Sequence, residues 1–366
     1  MRDRHIHAGR EAVPDPPAVA SAAADVPPLS PRRRSRGLPA ALLAVLLCGS
    51  LTVASEASAG AAAPSTAAAA DRGGPTASQR EVFPGLRRSL VAYYDFEHPD
   101  PENAAREKDQ GPSGTDIDLV NGSAEMRVRD GAHPGSTSSL QTKQINPTVA
   151  GNDDWKAGTY SATGTTTLHA FNHVRQITIM GWFKMTGQNP TFNSNSPDPN
   201  DRYGAVGLAG ILSGDSQGHD VRALLEVINV SGELRVVALG RRVDGSSSQT
   251  FAANEAWQSV LPLGEWVFLA ATFDYDEGTM KLYKNGRPLD GFYTLPNDPW
   301  GVAGPPEPDF TSATDPRGIK IGGSYPQNTR EGNACDCRLD SLMFFDRVAT
   351  DKEVLHQYRW ATRSHP

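Results

Sequence analysis

The amino-acid sequence predicts an all-β protein built as a two-sheet antiparallel sandwich. Segments in which apolar residues alternate with others recur between residues 90 and 346, and this period of two is the pattern of a β-strand. Turn-forming pairs at Ser231-Gly232, Glu277-Gly278 and Asn285-Gly286 favour hairpins between neighbouring segments. Trp266–Phe273 and Leu342–Phe345 are apolar on both faces, which is typical of strands in the middle of a sandwich.

Eight segments carry the strand pattern. In chain order they are Leu90–Glu97, Ile177–Met185, Val221–Val230, Glu233–Gly240, Glu265–Asp274, Thr279–Gly286, Ile319–Gly323 and Arg338–Asp346. No convincing amphipathic helix separates them, and only Ala349–Trp360 is expected to form a helical turn or two. The connections Val120–Arg175, Gly187–Gly204 and Asp290–Gly318 are long, and loops of that length are usually functional or disordered.

The first 59 residues have the organisation of an export signal. Leu38–Ala54 is an apolar run of 17 residues that follows a cluster of arginines at positions 32 to 36 and precedes the small residues Ala57-Ser58-Ala59. This order predicts a secretory signal peptide with cleavage after Ala59. A membrane anchor is the alternative, but the run is short for a span and contains Pro39 and Gly49. A twin-arginine route and a start codon assigned too early both stay open, because the leader is long.

Composition divides the rest of the chain in two. Residues 60–88 are rich in Ala, Gly, Pro and Ser, so a disordered linker is expected there. Residues 89–362 are expected to form one folded domain, since a chain with 38% hydrophobic residues can build a packed core.

The charge balance excludes two classes of partner. The chain carries a net charge of −7, and residues 1–59 hold seven Arg against five Asp and Glu, so the mature chain carries about −9. Neither nucleic acid nor an anionic membrane surface is expected to bind, because the gain from counterion release is replaced by repulsion. Beyond the leader the sequence contains no second apolar segment, so no transmembrane span is expected in the mature chain.

Cys335 and Cys337 are the two cysteines that remain once Cys48 leaves with the leader. An even pair in an oxidising compartment predicts a disulfide. Because residues two apart in an extended strand lie ~6.6 Å apart, the bridge requires a turn at Asp336. Free thiols or intermolecular pairing are the alternatives, and two thiols without a neighbouring His or further Cys make a poor zinc site.

Several motifs resemble those of LamG-like jelly-roll domains, members of the concanavalin A-like lectin/glucanase superfamily. They are "LVAYYDFE" at the start of the domain, "DQGPSG" after it, "ITIMGWFK", the hairpin "GEWVFLAATFDYDEGTMKLYKNGRPL" and the closing "RLDSLMFFDRVATDKEVLHQY". Together they run from Leu90 to Tyr358. The sequence departs from the family at "ACDC", where relatives usually begin the closing strand with an aromatic-Gly pair. The resemblance implies a two-sheet jelly roll.

The resemblance also implies a calcium site that clips the first strand to the last. The positions that would serve are Glu97, Asp109 and Asp340, whose oxygens suit calcium. The alternative is structural, with Asp109 making an Asx turn and Asp340 bonding backbone across the strands.

Aromatic residues in the long loop after residue 290 are candidates for ligand binding. Phe292, Tyr293 and Phe310 could stack on a sugar ring, because aromatic faces offer apolar area with a defined orientation. Trp300 lies in the same loop, but the resemblance around "PWGVAG" favours a packing role for it.

No catalytic set is recognisable. Some relatives with this fold hydrolyse glycosides with two opposed carboxylates, yet Glu226 stands alone in its strand and Asp274, Asp276 and Glu277 sit at a turn. His219 and Asp220 have no serine in a strained Gly-x-Ser-x-Gly turn beside them. The chain is therefore interpreted as a non-enzyme.

Three functions stay open at this point. An exported binding module for carbohydrate or an extracellular protein is favoured. A polysaccharide hydrolase or lyase of the same superfamily and a structural envelope or matrix protein are the alternatives. Carboxylates about 5 to 10 Å apart across a cleft would favour the enzyme.

Overall fold

Two antiparallel sheets face each other in the computed structural model, which describes residues 78–145, 153–171, 174–187, 206–212, 221–241, 248–295, 316–323 and 334–363. These residues belong to one compact unit, Ala70–Pro366. Buried apolar side chains from both sheets, among them Ile179, Ala271 and Val236, form the core between them. The prediction of an all-β, two-sheet antiparallel jelly-roll sandwich is confirmed.

In the described part of the chain, the secondary structure consists of strands of two to ten residues and two α-helices. The strands are β1 (Leu90–Tyr94), β2 (Arg106–Glu107), β3 (Ile117–Val120), β4 (Arg127–Val128), β5 (Ser139–Thr142), β6 (Lys156–Tyr160), β7 (Gln176–Met185), β8 (Val206–Leu212), β9 (Val221–Val230), β10 (Glu233–Arg241), β11 (Ser248–Ala253), β12 (Val267–Asp274), β13 (Thr279–Lys284), β14 (Arg287–Pro288), β15 (Gly291–Tyr293), β16 (Gly318–Ile321) and β17 (Cys337–Phe345). The helices are α1 (Trp257–Val260) and α2 (Asp351–Ala361), and short 3₁₀-helices cover Ser78–Glu81, Arg87–Ser89, Ser123–Met126 and Thr166–Phe171.

Among the described residues, one sheet contains eight strands. Seven follow the order β14-β13-β12-β7-β17-β5-β4, and β1 pairs with β17 beside them. The pairing of β17 with β7 shifts register between Asp340 and Met343, where Ser341 has a φ of 49°. This bulge divides β17: its first half pairs with β5 and its second half with β1. The first strand of the domain is thereby joined to the last.

The second sheet has nine strands within the described part of the chain, in the order β15-β11-β10-β9-β8-β16-β6-β3-β2. The hairpin of β9 and β10 turns at Ser231 and Gly232, which both have positive φ. Gly278, Asn285 and Gly286 also have positive φ in the two turns of the β12-β13-β14 meander. The predicted hairpins are confirmed, because these residues tolerate the left-handed conformation that tight turns need.

The structure corrects the loop predicted over Val120–Arg175. This stretch contains β4, β5 and β6 and two short 3₁₀-helices. Its strands have two to five residues, too few to establish a period of two. β8 was also missed, because Val206–Leu212 is buried at every position and shows no alternation. Residues 188–204 and 296–315, within the other predicted loops, lie outside the described residues.

The outer face of the eight-stranded sheet is covered by the two ends of the domain. Val82 and Leu86 from the N-terminal side and Val354 and Ala361 from α2 are buried against Tyr93 and other residues of this face. The sequence prediction placed residues 78–88 in a disordered linker, and this part of the boundary is wrong. The apolar residues in "REVFPGL" pack on the sheet, whereas residues 60–77 lie outside the described residues.

α2 owes its start to local sequence. Thr350 accepts the backbone N–H of Glu353, and the Glu353 carboxylate accepts the N–H of Thr350 in return, so the two form a capping box. Arg347 binds both oxygens of Glu353, at 2.7 and 2.9 Å, and holds the pKa of that carboxyl at about 2. The helix is thus anchored where it leaves the sheet.

Leu86→Ala tests whether the N-terminal segment belongs to the folded domain. Leu86 is fully buried against the sheet, so we expect the variant to lower the free energy of unfolding by about 2–5 kcal/mol in urea denaturation. Leu263→Ala is the control, since Leu263 is 57% exposed, and it should change stability by less than about 0.5 kcal/mol. Equal stability of both variants would show that residues 78–88 do not pack on the sheet.

Candidate ligand-binding pocket

A pocket of about 410 Å³ opens on the covered face, where the N-terminal segment, the loop before β5 and α2 meet. Its lining combines three charged side chains, an imidazole and an indole with two small residues. They are Arg80, Glu81, Arg87, His133, Trp360, Gly135 and Ala361. We call it the Glu81 pocket. Its volume is in the range of small-ligand sites, and a few polar groups converging in a partly apolar cleft are typical of such sites.

The wall made by Trp360 is fixed by hydrogen bonding. The Trp360 indole N–H donates to the carbonyl of Arg80 at 2.7 Å. Phe83 packs edge-on against the indole with 6.1 Å between ring centroids. Both contacts tie α2 to the N-terminal segment, so the indole has a defined orientation in the pocket.

Glu81 is the carboxyl group of the pocket and is only partly exposed. The hydroxyl of Tyr93, on β1, donates to its carboxylate, and Nε2 of His133 lies 4.0 Å from it. Burial raises the pKa of Glu81 to about 7, although the hydrogen bond from Tyr93 acts in the opposite direction. The group can therefore exchange between a carboxylate and a carboxylic acid near neutral pH.

Behind the pocket a chain of buried hydrogen bonds leads into the sheet. The backbone N–H of Gly135 donates to Nδ1 of His133 at 3.3 Å, which places the imidazole proton on Nε2. That proton faces the hydroxyl of Ser341 at 2.9 Å, and Ser341 in turn donates to Asp340 at 3.0 Å. The bulge in β17 is what turns Ser341 toward His133. These contacts hold the imidazole in one orientation at the floor of the pocket.

Asp340 anchors the loop that forms one side of the pocket. Its carboxylate accepts the N–H of Ala132 at 2.8 Å and the hydroxyl of Ser136 at 2.7 Å. The side chain is fully buried, and burial raises its pKa to about 8 despite these donors. Asp340 thus bonds the backbone and a hydroxyl of this loop, which is close to the structural alternative stated for it.

The structure brings two of the three predicted calcium ligands together, because Glu97 and Asp340 both accept from the hydroxyl of Ser136, at 3.3 and 2.7 Å. Asp109 accepts the N–H groups of Tyr93 and Gly111, both at 2.7 Å, and so makes the Asx turn given above as the alternative. Glu97 accepts the N–H of Ser138 at 3.2 Å and further donors of that loop. In the part of the chain that the structure describes, no group of three His, Cys, Asp or Glu side chains could hold a metal ion. These residues therefore do not fit the implied site, and calcium binding stays a prediction.

The structure separates the aromatic residues proposed for stacking. Phe292 lies on the edge strand β15, is 39% exposed and faces the guanidinium of Arg235 at 5.5 Å. Tyr293 points the other way. Its hydroxyl accepts the backbone N–H of Met280 at 2.9 Å, and its ring packs on Phe251. Tyr293 is thus a contact between the sheets, which does not fit the predicted stacking role. Phe310 and Trp300 lie outside the described residues.

The cysteine pair forms the predicted bridge. Sulfur atoms of Cys335 and Cys337 are 2.17 Å apart, with Cα atoms at 5.2 Å, and the chain bends at Asp336 between them. Both residues are fully buried, and the hydroxyl of Thr142 donates to the carbonyl of Cys335 at 2.6 Å. The bridge fixes the entry to β17.

Sequence reasoning did not find the Glu81 pocket. Arg80, Glu81 and Arg87 fell in the predicted linker, and His133 in a predicted loop. The available signal was the apolar spacing of Val82, Phe83 and Leu86, which is unusual for a linker. Nothing local in the sequence indicates that this segment meets Trp360, because the contact joins residues 280 positions apart.

No helix of the described residues is long and apolar enough to cross a membrane. No protein-family model matches the chain, and no curated protein sequence matches it either.

The chain is similar to several solved structures at low identity. A structure of botulinum neurotoxin type C, whose cell entry depends on interaction with two ganglioside molecules, is 11% identical with a TM-score of 0.44, covering 75% of this chain and 52% of that one. A Trypanosoma rangeli sialidase is 12% identical with a TM-score of 0.40, covering 74% and 33%. A pentraxin from Limulus polyphemus is 16% identical with a TM-score of 0.33, covering 50% and 69%. The chain spans about half the length of the toxin structure and about a third of the length of the sialidase. No residue role is transferred from any of these proteins.

Asp340→Asn tests the buried network through pH. The pKa of Asp340 in the folded state, about 8, exceeds its ordinary value of 3.8, so the folded state binds a proton that the unfolded state releases. Stability from this group is present at low pH and is lost as pH rises through about 8. We expect the free energy of unfolding to fall between pH 5 and pH 8, and to fall less steeply in the variant. Glu81 and Glu107 also have raised pKa values, so some slope should remain. Identical slopes would contradict the assignment.

Alkylation tests the bridge. Under denaturing conditions without a reductant, mass spectrometry of the peptide that contains Cys335 and Cys337 should find both unmodified and the peptide two mass units lighter than its dithiol form. With a reductant both should be alkylated. Two alkylated cysteines without reductant would exclude the bridge.

Proposed function

We propose that this chain is an exported, non-catalytic binding module that recognises carbohydrate through the Glu81 pocket. The observation that carries the proposal is the pairing of the Trp360 indole with polar groups of the Glu81 pocket. Sugar rings have an apolar face and equatorial hydroxyl groups, so an aromatic wall beside hydrogen-bonding side chains matches both parts of a pyranose.

The pocket supplies both kinds of hydrogen-bonding partner. Glu81 can accept from sugar hydroxyls when ionised, and the guanidinium groups of Arg80 and Arg87 donate. The backbone at Arg80 and Glu81 is set by the folded domain, since their carbonyls are held by Trp360 and Gln357, and Nε of Arg87 donates to the carbonyl of Val82 at 2.9 Å. A pre-formed site reduces the entropy that binding has to overcome.

Export is supported by the leader and by the buried disulfide, which suits an oxidising compartment.

Two alternatives to carbohydrate binding have some support. The architecture is compatible with an extracellular protein ligand. The enzyme hypothesis draws on Glu81, because a carboxyl group with a pKa near 7 would suit a general acid. The binding function is preferred because His133, at the floor of the pocket, is engaged with Ser341, which in turn is engaged with the buried Asp340.

Glu81→Gln tests the proposal on a glycan array. The substitution keeps the size of the side chain and an acceptor for the Tyr93 hydroxyl, so the domain should stay folded. We expect binding to the glycan that the unmodified protein selects to weaken by about tenfold or more, since one charge-assisted hydrogen bond is lost. Glu125→Gln is the control, because Glu125 is exposed on a separate turn.

Two outcomes would overturn the proposal. Equal glycan binding by both variants would exclude the Glu81 pocket as the site. Release of reducing sugar from the bound glycan, abolished in Glu81→Gln, would replace the binding module with a hydrolase.

A further inference from the structure

The two segments that frame the Glu81 pocket carry an excess of arginine. Residues 78–89 and 354–363 together contain five arginines and a single acidic residue, Glu81, whereas the whole chain has more acidic than basic residues and a net charge of −7. The arginines are Arg80, Arg87, Arg88, Arg359 and Arg363. Because the N-terminal segment is hydrogen-bonded to α2, this basic excess lies on the covered face of the domain.

Arg80 and Arg87 are the two of these arginines that line the pocket. The guanidinium of Arg80 makes no hydrogen bond or ion pair with a described residue. Nε of Arg87 donates to the carbonyl of Val82 at 2.9 Å, and its Nη groups have no partner within the described part of the chain. Neither described arginine is ion-paired with the Glu81 carboxylate, which Nε2 of His133 approaches to 4.0 Å. The lining thus contains free guanidinium donors and, apart from them, a carboxyl acceptor.

Guanidinium groups match a carboxylate better than they match a hydroxyl. The planar fork donates two parallel N–H bonds to the two oxygens of a carboxylate, and charge-assisted bonds of this kind are about twice as strong as neutral ones. A cleft lined by one sign of charge also concentrates ligands of the opposite sign. A sugar that carries a carboxylate therefore gains from Arg80 and Arg87 what a neutral sugar does not.

The acidic groups around the pocket oppose an anion only weakly. Burial raises the pKa of Glu81 to about 7, so this carboxyl is partly neutral at pH 7. The charges of Asp95 and Glu97 reach Glu81, but neither residue lines the pocket. Asp95 is paired with His98 at 2.9 Å, and Glu97 accepts backbone N–H groups of the loop before β5. The groups that line the pocket thus sum to a positive charge.

We propose that the Glu81 pocket selects an acidic sugar, and that Arg80 and Arg87 bind its carboxylate. The inference rests on the carbohydrate-binding function proposed above and names the class of sugar. The ring packs on the indole of Trp360, and Glu81 binds a hydroxyl group on the far side of the ring. In a uronic acid the carboxylate and the farthest hydroxyl groups lie on opposite sides of the ring, so one sugar contacts both parts of the lining.

A glycan array on which each carboxylate-bearing glycan is printed both as the free acid and as its methyl ester tests the inference. The two forms share the same sugar ring and differ in charge. We expect the unmodified protein to bind the free acid about tenfold or more tightly than the ester, because the charge-assisted bonds to the arginines are lost in the ester. Higher ionic strength should weaken binding of the acid more than binding of the ester.

Substitution of the arginines identifies the groups that recognise the carboxylate. Arg80→Gln and Arg87→Gln should each reduce the preference for acid over ester by about fivefold or more. Arg287→Gln is the matched control, because Arg287 is an exposed arginine of β14 that does not line the pocket. Since Arg87 also bonds the carbonyl of Val82, a purely structural role for it would weaken acid and ester alike. A contact with the carboxylate weakens the acid alone.

Equal binding of acid and ester would overturn the inference and leave the carbohydrate-binding function standing. A preference for the acid that both Arg80→Gln and Arg87→Gln preserve would also overturn it. The absence of binding to any glycan, neutral or acidic, would overturn the proposed function and this inference with it. The two failures are therefore distinguishable on one array.

Discussion

The carboxamide of Gln357 is the contact on which the Glu81 pocket depends. It is fully buried, accepts the backbone N–H of Phe83 at 2.7 Å and donates to the carbonyl of Glu81 at 3.0 Å. These two hydrogen bonds replace the sheet-like pairing that a segment without regular structure lacks. They position the N-terminal segment on α2, and with it Glu81 and the carbonyl of Arg80 that orients Trp360. Without this contact the two ends of the domain would cover the sheet but would not form a defined cavity.

The same packing explains the unusual electrostatics of the covered face. Tyr93, Asp340 and Ser341 face outward from the eight-stranded sheet, and the N-terminal segment and α2 exclude water from them. Buried carboxyl groups then favour the neutral form, which raises the pKa of Asp340 to about 8 and that of Glu81 to about 7. On the opposite sheet, burial acts on Lys156 in the reverse sense. Among these groups, Glu81 is the one that lines the pocket.

The sequence predicted the parts of the fold that local pattern determines. In the long central strands, apolar residues either alternate with others or fill every position, so these strands could be recognised. The hairpins could be recognised because their tight turns require positive φ, which Ser231, Gly232 and Asn285 adopt. The bridge at Cys335 followed from the even pair of cysteines left beyond the leader. Short strands such as β4 and β6 could not be recognised, because they gain their hydrogen bonds only from partners distant in sequence. The Glu81 pocket was out of reach for the same reason: Arg80 and Trp360 meet only after both ends of the domain fold onto one sheet.

Selective ¹⁵N labelling of tryptophan gives the most direct measurement of whether the Glu81 pocket is the ligand site. The chain has six tryptophans, and the indole N–H of Trp360 can be assigned from a Trp360→Phe variant. During titration with the glycan selected on the array, the account predicts a saturable shift of the Trp360 signal, with those of Trp182 and Trp257, which are almost fully buried, changing little. A glycan that binds with the same affinity while the Trp360 signal stays fixed would contradict it.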